Sequence, residues 1–413
     1  MAVILRSNTD LVYLPDHGFV GEEGALRILP QITRQIHRID ISHNLLGSAG
    51  TFTLFKGLST VRLRHSSPEL GLGLWGLREV NLGMNGLDDS SFDCVLAYAK
   101  KDVCLNRVLV QGNEITLKNN VESIINSLNS SHISSLSLVN NISIDPDGLI
   151  KFVETLQSNS LKQLNISACN LPSSISESIS NYLKSSRSRN LESLELNGNQ
   201  LGREGIIHII DTVEESNYSI QQLGLLANHI HSSRIMTMDQ DDIEMDGTIS
   251  EQHRLKMKVD EERIMEYQVH RRLPILLERN RILTKRIRQA ALRTLVPARI
   301  LLNASRPSNE QVARTVMGEI SGGSTVFVGF PLLDLPEEVI QLIVRHTSDD
   351  PWAFSESQWT RMRKEATDKE GLKNIIKLRM ERSRGKSREE EREIRRKMKE
   401  EWLTRGKWDR WEQ

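Results

Sequence analysis

The stretch Leu105-Asn106-Arg107-Val108-Leu109-Val110-Gln111-Gly112-Asn113-Glu114-Ile115 decides how this chain is read. Apolar residues alternate at 108 and 110, as a short strand with one buried face requires, and Asn113 follows where such a strand would turn. The spacing Leu-x-x-Leu-x-Leu-x-x-Asn-x-Leu returns 28 residues later as Ile133, Leu136, Leu138 and Asn141, and again as Leu161, Leu164, Ile166, Cys169 and Leu171. Working outward, the same register holds Leu77, Val80, Leu82, Asn85 and Leu87, then Ile36, Ile39, Ile41, Asn44 and Leu46. Val12, Leu14, His17 and Phe19 make a degenerate first copy. Downstream lie Leu191, Leu194, Leu196, Asn199 and Leu201, then Ile220, Leu223, Leu225, Asn228 and Ile230. The slots at 17, 44, 85, 113, 141, 169, 199 and 228 are separated by 27, 41, 28, 28, 28, 30 and 29 residues.

Between the strand motifs the chain reads as helix. Asp145-Pro146-Asp147-Gly148 offers an N-cap and a first-turn proline, and Leu149, Ile150, Val153 and Leu156 follow on one face. After Gly202-Arg203-Glu204-Gly205 come Ile206, Ile207, Ile209, Ile210 and Val213. Repeats of this length and signature resemble the ribonuclease-inhibitor-like class of leucine-rich repeats. The resemblance covers about residues 10–235 and implies an α/β leucine-rich-repeat solenoid, a horseshoe of about eight strand–helix repeats. The ladder Asn44, Asn85, Asn113, Asn141, Asn199 and Asn228 is then structural, each amide buried but bonded to backbone at a corner. Cys169 fits the same slot as a small, inert thiol.

Candidate partner-binding residues lie off this ladder. Outward-facing strand positions make a column of Tyr13, Asp40, Asn81, Leu109, Ser137, Asn165, Glu195 and Gly224, which has no basic track for a phosphate backbone and suits a protein partner. Tyr13, Asp40 and Asn81 are its candidate contacts. The 41-residue interval contains 13 residues beyond a 28-residue period, and the stretch 65–76, rich in Gly and Leu and ending near Trp75, supplies most of them. Trp75 is either a partner anchor on a binding-face loop or buried by its own loop.

Bulk composition excludes several classes. Lys+Arg and Asp+Glu each number 54, so no global charge favours nucleic acid or membrane. Three cysteines without a C-x-x-C pair fit a reducing compartment. The start lacks a signal-peptide pattern and no apolar run reaches transmembrane length, so an intracellular protein, cytoplasmic and/or nuclear, is expected. No Walker A loop, Gly-x-Ser-x-Gly elbow or His-Glu-x-x-His pair occurs. His229 and His231 lack partner ligand spacing. No enzyme activity, cofactor or metal is expected.

Beyond 235 the character changes, and an α-helical C-terminal region is expected. Residues 236–250 form an acidic loop whose calcium-loop likeness fails at His253, where a bidentate Glu is needed. Residues 251–303 read as a basic amphipathic helix that caps the last repeat, and 254–299 holds 13 Arg/Lys against 5 acids. Pro274 and Pro297 mark kinks or breaks in it. A linker is expected over 304–329, a helical segment over 330–375 and a charged helical tail over 376–413 that frays from Gly406 onward.

Leu335-Pro336-Glu337-Glu338-Val339, continuing to Ile343, resembles the opening of an F-box, with Ser355 to Met362 as a loose counterpart of its later helix. The resemblance implies docking of Leu335, Pro336, Val339 and Ile343 on a Skp1-type adaptor of a ubiquitin ligase; an ordinary amphipathic helix is the alternative. The expected function is a non-enzymatic protein-interaction scaffold, with such substrate-adaptor work as its sharpest form. Two other classes stay open: a GTPase-activating regulator of the Ran type, and a nucleic-acid-associated scaffold using the basic helix.

Overall fold

A computed structural model describes residues 10–66, 74–228, 263–302, 335–385 and 387–412. The acidic loop at 236–250, the linker at 304–329, His229, His231 and the calcium-like spacing lie outside them. The chain divides into two compact units, Met1–Asn280 and Arg281–Gln413.

The first unit is α/β. Eight strands form one sheet in sequence order, β1 (Leu11–Tyr13), β2 (Arg38–Asp40), β3 (Glu79–Asn81), β4 (Arg107–Leu109), β5 (Ser135–Ser137), β6 (Gln163–Asn165), β7 (Ser193–Glu195) and β8 (Gln222–Gly224). Every neighbouring pair is parallel and in equivalent register, with Val12, Ile39, Val80, Val108, Leu136, Leu164, Leu194 and Leu223 side by side. All eight are buried, because the middle residue of each strand faces the helices. The helices are α1 (Gly21–Ile28), α2 (Gly47–His65), α3 (Asp89–Lys101), α4 (Val121–Asn129), α5 (Pro146–Thr155), α6 (Ile175–Lys184) and α7 (Gly202–Glu215). Asp145 caps α5 by accepting from Gly148 N at 3.0 Å, with Pro146 in the first turn.

The asparagine ladder makes the corners. Asn199 donates to Ile166 O (3.0 Å) and Leu196 O (2.8 Å) and accepts from Cys169 N (2.9 Å) and Leu171 N (3.2 Å), tying two successive repeats together. Cys169 imitates half of this, its thiol donating to Leu138 O at 3.1 Å. The residue before each ladder slot, Asp16, His43, Met84, Gly112, Asn140, Ala168, Gly198 or Ala227, has a φ between 53° and 69°. Two of the eight are glycine, so six corners carry left-handed strain of ~1–2 kcal/mol each against the bonds they permit.

The long interval is shared between helix and loop. Helix α2 has 19 residues where the other helices of this sheet have 8 to 14, so the extra residues are divided between α2 and the segment that leads to β3. Residues 67–73 lie outside the described ones.

Past the sheet, residues 263–267 are helical, Gln268–Arg272 form a π-turn, and α8 (Leu273–Leu301) follows without a break at either proline. Pro274 is the second residue of α8, directly after this wider turn, in which Leu273 N–H reaches back to Gln268 O. Met265, Leu273, Leu276 and Leu277 belong to the core of the first unit.

The second unit is helical: the later part of α8, then α9 (Glu337–His346), α10 (Glu356–Thr367), α11 (Lys369–Ser383) and α12 (Arg388–Gly406). Its core gathers Ile287, Ala291, Ile340, Phe354, Trp359 and Trp402. Fraying from Gly406 is corrected here. Trp408 is 1% exposed and packs on Trp402 with ring centroids 4.2 Å apart. Lys407 turns left-handed (φ 56°), which sends the chain back, and Gln358 donates to Lys407 O (3.1 Å) and Arg410 O (2.7 Å). Among the described residues no helix is long and apolar enough to cross a membrane.

Candidate protein-interaction surfaces

The outward face of the sheet follows from the same register. Tyr13, Asp40, Asn81, Leu109, Ser137, Asn165, Glu195 and Gly224 lie side by side as the third residues of their strands. Tyr13 is 64% exposed at one end. Asp40 Oδ2 accepts from Asn81 Nδ2 at 3.0 Å, and Asn81 Oδ1 accepts from Gln111 Nε2 at 3.0 Å, a chain of side-chain bonds from β2 through β3 to the turn after β4. Asp40 Oδ1 also holds the next turn through Ser42 N (3.1 Å) and Ser42 Oγ (2.7 Å). At the other end Asn197 donates to Glu195 Oε2 (2.8 Å) and accepts from Leu226 N (2.8 Å). Gly224 leaves room for that pair, since a Cβ there would meet Glu195 and Asn197. Side chains that already hold one another cost little entropy to present, so this face is a pre-ordered set of donors and acceptors. Its charges are sparse, with ion pairs Arg38–Asp10 (2.7 Å) and Arg107–Glu79 (3.8 Å) on the neighbouring column.

Trp75 is a correction to the list of partner contacts. It is 2% exposed, with His65 edge-on at 4.9 Å and His37 at 6.3 Å. Ser66 Oγ accepts from Trp75 N (2.9 Å) and donates to Trp75 O (3.1 Å), which fixes the backbone at the indole. Burying an indole removes a large apolar area from water, which favours the inward position of Trp75.

Helix α9 splits its apolar residues between two sides. Ile340 and Val344 are buried in the second unit, and Leu335 is partly buried against them. Pro336 is exposed, Val339 is 38% and Leu342 56% exposed, and Ile343 is half-buried. Close by in sequence, Trp352 is 80% exposed, with the Arg345 guanidinium 6.0 Å from its ring.

Other polar groups have structural roles that sequence patterns did not signal. Asp89, 3% exposed, accepts from the backbone N–H groups of Thr116 (2.7 Å), Leu117 (2.8 Å), Lys118 (3.1 Å) and Asn119 (2.9 Å), shaping the loop of the next repeat. Asp102 accepts from Leu77 N (3.1 Å), Cys104 N (3.0 Å) and Tyr98 Oη (2.8 Å), and burial, then the Asp102 charge, raises the Tyr98 phenol far above its ordinary range. Burial pushes Cys94 and Cys169 to about 11, so both thiols are protonated at neutral pH. No group of three His, Cys, Asp or Glu placed to hold a metal ion occurs among the described residues.

The arginines of the basic helix have partners within their own units. Arg272 pairs with Asp211 (2.7 Å) and with Glu214. Arg279 donates to Val213 O (2.8 Å) and Glu214 O (2.8 Å). Farther along, Arg286 meets Asp350 (2.6 Å), Arg293 meets Asp349 (2.6 Å), and Arg288 meets Glu400. Counter-ions already in place leave less charge for a phosphate backbone to displace.

No protein-family model matches the chain, and no curated protein does. Among solved structures it is similar to one described as leiomodin-1 actin-binding site 2, at 11% identity, over 61% of this chain and 94% of that one, with a TM-score of 0.23.

Proposed function

We propose that the chain is a non-enzymatic interaction protein, built as a leucine-rich-repeat solenoid of the ribonuclease-inhibitor-like class, that holds a protein partner on the outward face of its sheet. The observation that carries this is the in-register column from Tyr13 to Gly224, with Asp40, Asn81 and Gln111 locked by their own hydrogen bonds. A partner offering backbone or amide groups would meet fixed donors and acceptors, and Tyr13 would supply an aromatic anchor at the edge. The test is affinity purification of the intact chain from its native cell with mass spectrometry, repeated for Tyr13→Ala/Asp40→Arg. Loss of a specific protein on the double substitution supports the proposal; an unchanged set of captured proteins refutes it.

A second contact is proposed on α9, where Val339, Leu342 and Ile343 stay accessible to a Skp1-type adaptor. In this form the sheet face selects a substrate and α9 joins it to a ubiquitin ligase. Co-purification with a Skp1-type protein tests it, and unchanged recovery after Val339→Asp and Ile343→Asp would end it.

A further inference from the structure

The helical side of the first unit carries a groove that the sheet-face proposal does not use. It runs between α2 and α3, has a volume of ≈ 390 Å³, and its walls include Phe52, Phe55, Lys56, Tyr98 and Lys101. The spacing explains it. Residues 52, 55, 56 and 59 of α2 and 94, 97, 98 and 101 of α3 each form one helix face. Ser59, Cys94 and Ala97 are too small to close the gap between those faces. Phe55 and Tyr98 meet edge-on at 5.3 Å and form an apolar floor, while Phe52 stays 46% exposed beside it.

The rim is positive. Lys56 and Lys101 line the groove and no carboxylate does. Arg62 donates to Lys101 O at 2.7 Å, adding a third cation, and Lys100 is the next residue along α3. The acids closest in the chain do not line it: Asp93 accepts from Ser123 Oγ at 2.8 Å on the α4 side, and Asp102 is 1% exposed beneath Tyr98. An apolar trough bordered by cations selects an apolar stripe bordered by anions. From residue 52 to 59 the trough spans roughly 10 Å at the rise of a helix, enough for two turns of a bound one.

We propose that this groove docks an acidic amphipathic helix of a partner protein. Its apolar side chains at i and i+3 or i+4 lie against Phe52 and the Phe55–Tyr98 floor, and its carboxylates pair with Lys56 and Lys101. This contact is separate from the sheet face, so one chain can hold two proteins at once.

The test uses the full chain and a phage-displayed library of random peptides, counter-selected on Lys56→Glu/Lys101→Glu. Enriched peptides are then measured by fluorescence anisotropy against the wild type, that double variant, Phe52→Ala, and Lys184→Glu as a control on α6. The expected peptides carry net negative charge and two apolar residues three or four positions apart. Their affinity falls at least tenfold in the double variant, severalfold in Phe52→Ala, not at all in Lys184→Glu, and weakens with salt. Peptides that are neutral or basic, or that bind the double variant equally well, overturn the proposal, as does failure to enrich any peptide over it. Should charge reversal unfold the chain by circular dichroism, Lys56→Ala/Lys101→Ala gives the same comparison.

Discussion

Asn199 and Asn228 occupy the same slot in successive repeats, yet removing them should have very different consequences. Asn199 is 0% exposed, and its carbonyl oxygen accepts from Cys169 N and Leu171 N while its amide donates to Ile166 O and Leu196 O. In Asn199→Ala two buried N–H groups lose their acceptor, at ~1–3 kcal/mol each, so the change should cost ~2–6 kcal/mol. Asn228 donates to Leu196 O (3.2 Å) and Leu225 O (2.8 Å), but among the described residues its oxygen has no donor. Leu196 O keeps Asn199 as a donor when Asn228 is lost. Asn228→Ala therefore forfeits ordinary bonds at ~0.5–1.5 kcal/mol each and strands no donor, for a total of ~1–2 kcal/mol. Urea denaturation followed by far-ultraviolet circular dichroism measures both, with the shift in midpoint compared at equal slope. Equal destabilisation by the two substitutions would refute this account of the ladder, because it would mean that side-chain volume, and not the stranded N–H groups, sets the cost.

Three further outcomes follow from other sites. Asp88 caps α3: burial would raise its pKa, but hydrogen bonds from Ser91, Ser90 and Ser48 outweigh that and hold it at about 2. A depressed carboxylate stabilises the fold above its unfolded pKa, so Asp88→Ala should cost ~1 kcal/mol at pH 7, screening by solvent included, and the gap to wild type should close as pH falls from ~4 toward about 2. Trp75→Ala should destabilise the first unit by ~3–5 kcal/mol, read from its thermal unfolding, since the indole fills a core and not a partner's pocket. Trp408→Ala should cost the second unit ~3–5 kcal/mol and make the C-terminal segment protease-sensitive, where a solvated tail would be cleaved equally fast with or without the substitution.

Period and alternation carried the strands, because an inward apolar residue at every second position can be satisfied in few other ways. The exposed column was legible for the same reason: once the inward residue is known, its neighbours must face out. What sequence could not show is anything that depends on side chains meeting across repeats. Nothing in Asp89 itself announces that four backbone N–H groups of another repeat converge on it. The left-handed corners were hidden too, since Met84, Ala168 and Ala227 stand where glycine would have given the signal. The burial of Trp75 depends on how an insertion divides between helix and loop, and composition is silent on that division. In the tail, charge density suggested solvation, but three tryptophans, Trp402, Trp408 and Trp411, are enough apolar area to draw a charged helix into a core.

The boundary of the first unit shows how the periodic and aperiodic parts depend on each other. Periodicity ends near 235, yet the compact unit continues to Asn280. The last repeat has no successor to bury its flank or to bond the final carbonyls of α7, and a helix end needs such partners. Met265, Leu273, Leu276 and Leu277 supply the apolar cover, and at ~1.5–3 kcal/mol for each buried side chain they contribute ~6–12 kcal/mol as an upper bound. That is comparable with the whole net stability of a typical domain, ~5–15 kcal/mol. The polar part matters as much: Arg279 donates to Val213 O and Glu214 O, and Asn280, 0% exposed, donates to Asn217 O (3.1 Å) and Ile220 O (2.7 Å). Those are the acceptors that a ninth repeat would otherwise have to satisfy. Arg272 and Arg279, two of the arginines that gave this segment the look of an anion-binding helix, are thus spent on closing the array, which leaves the sheet face and the α2–α3 groove as the surfaces of the first unit best furnished to meet a partner.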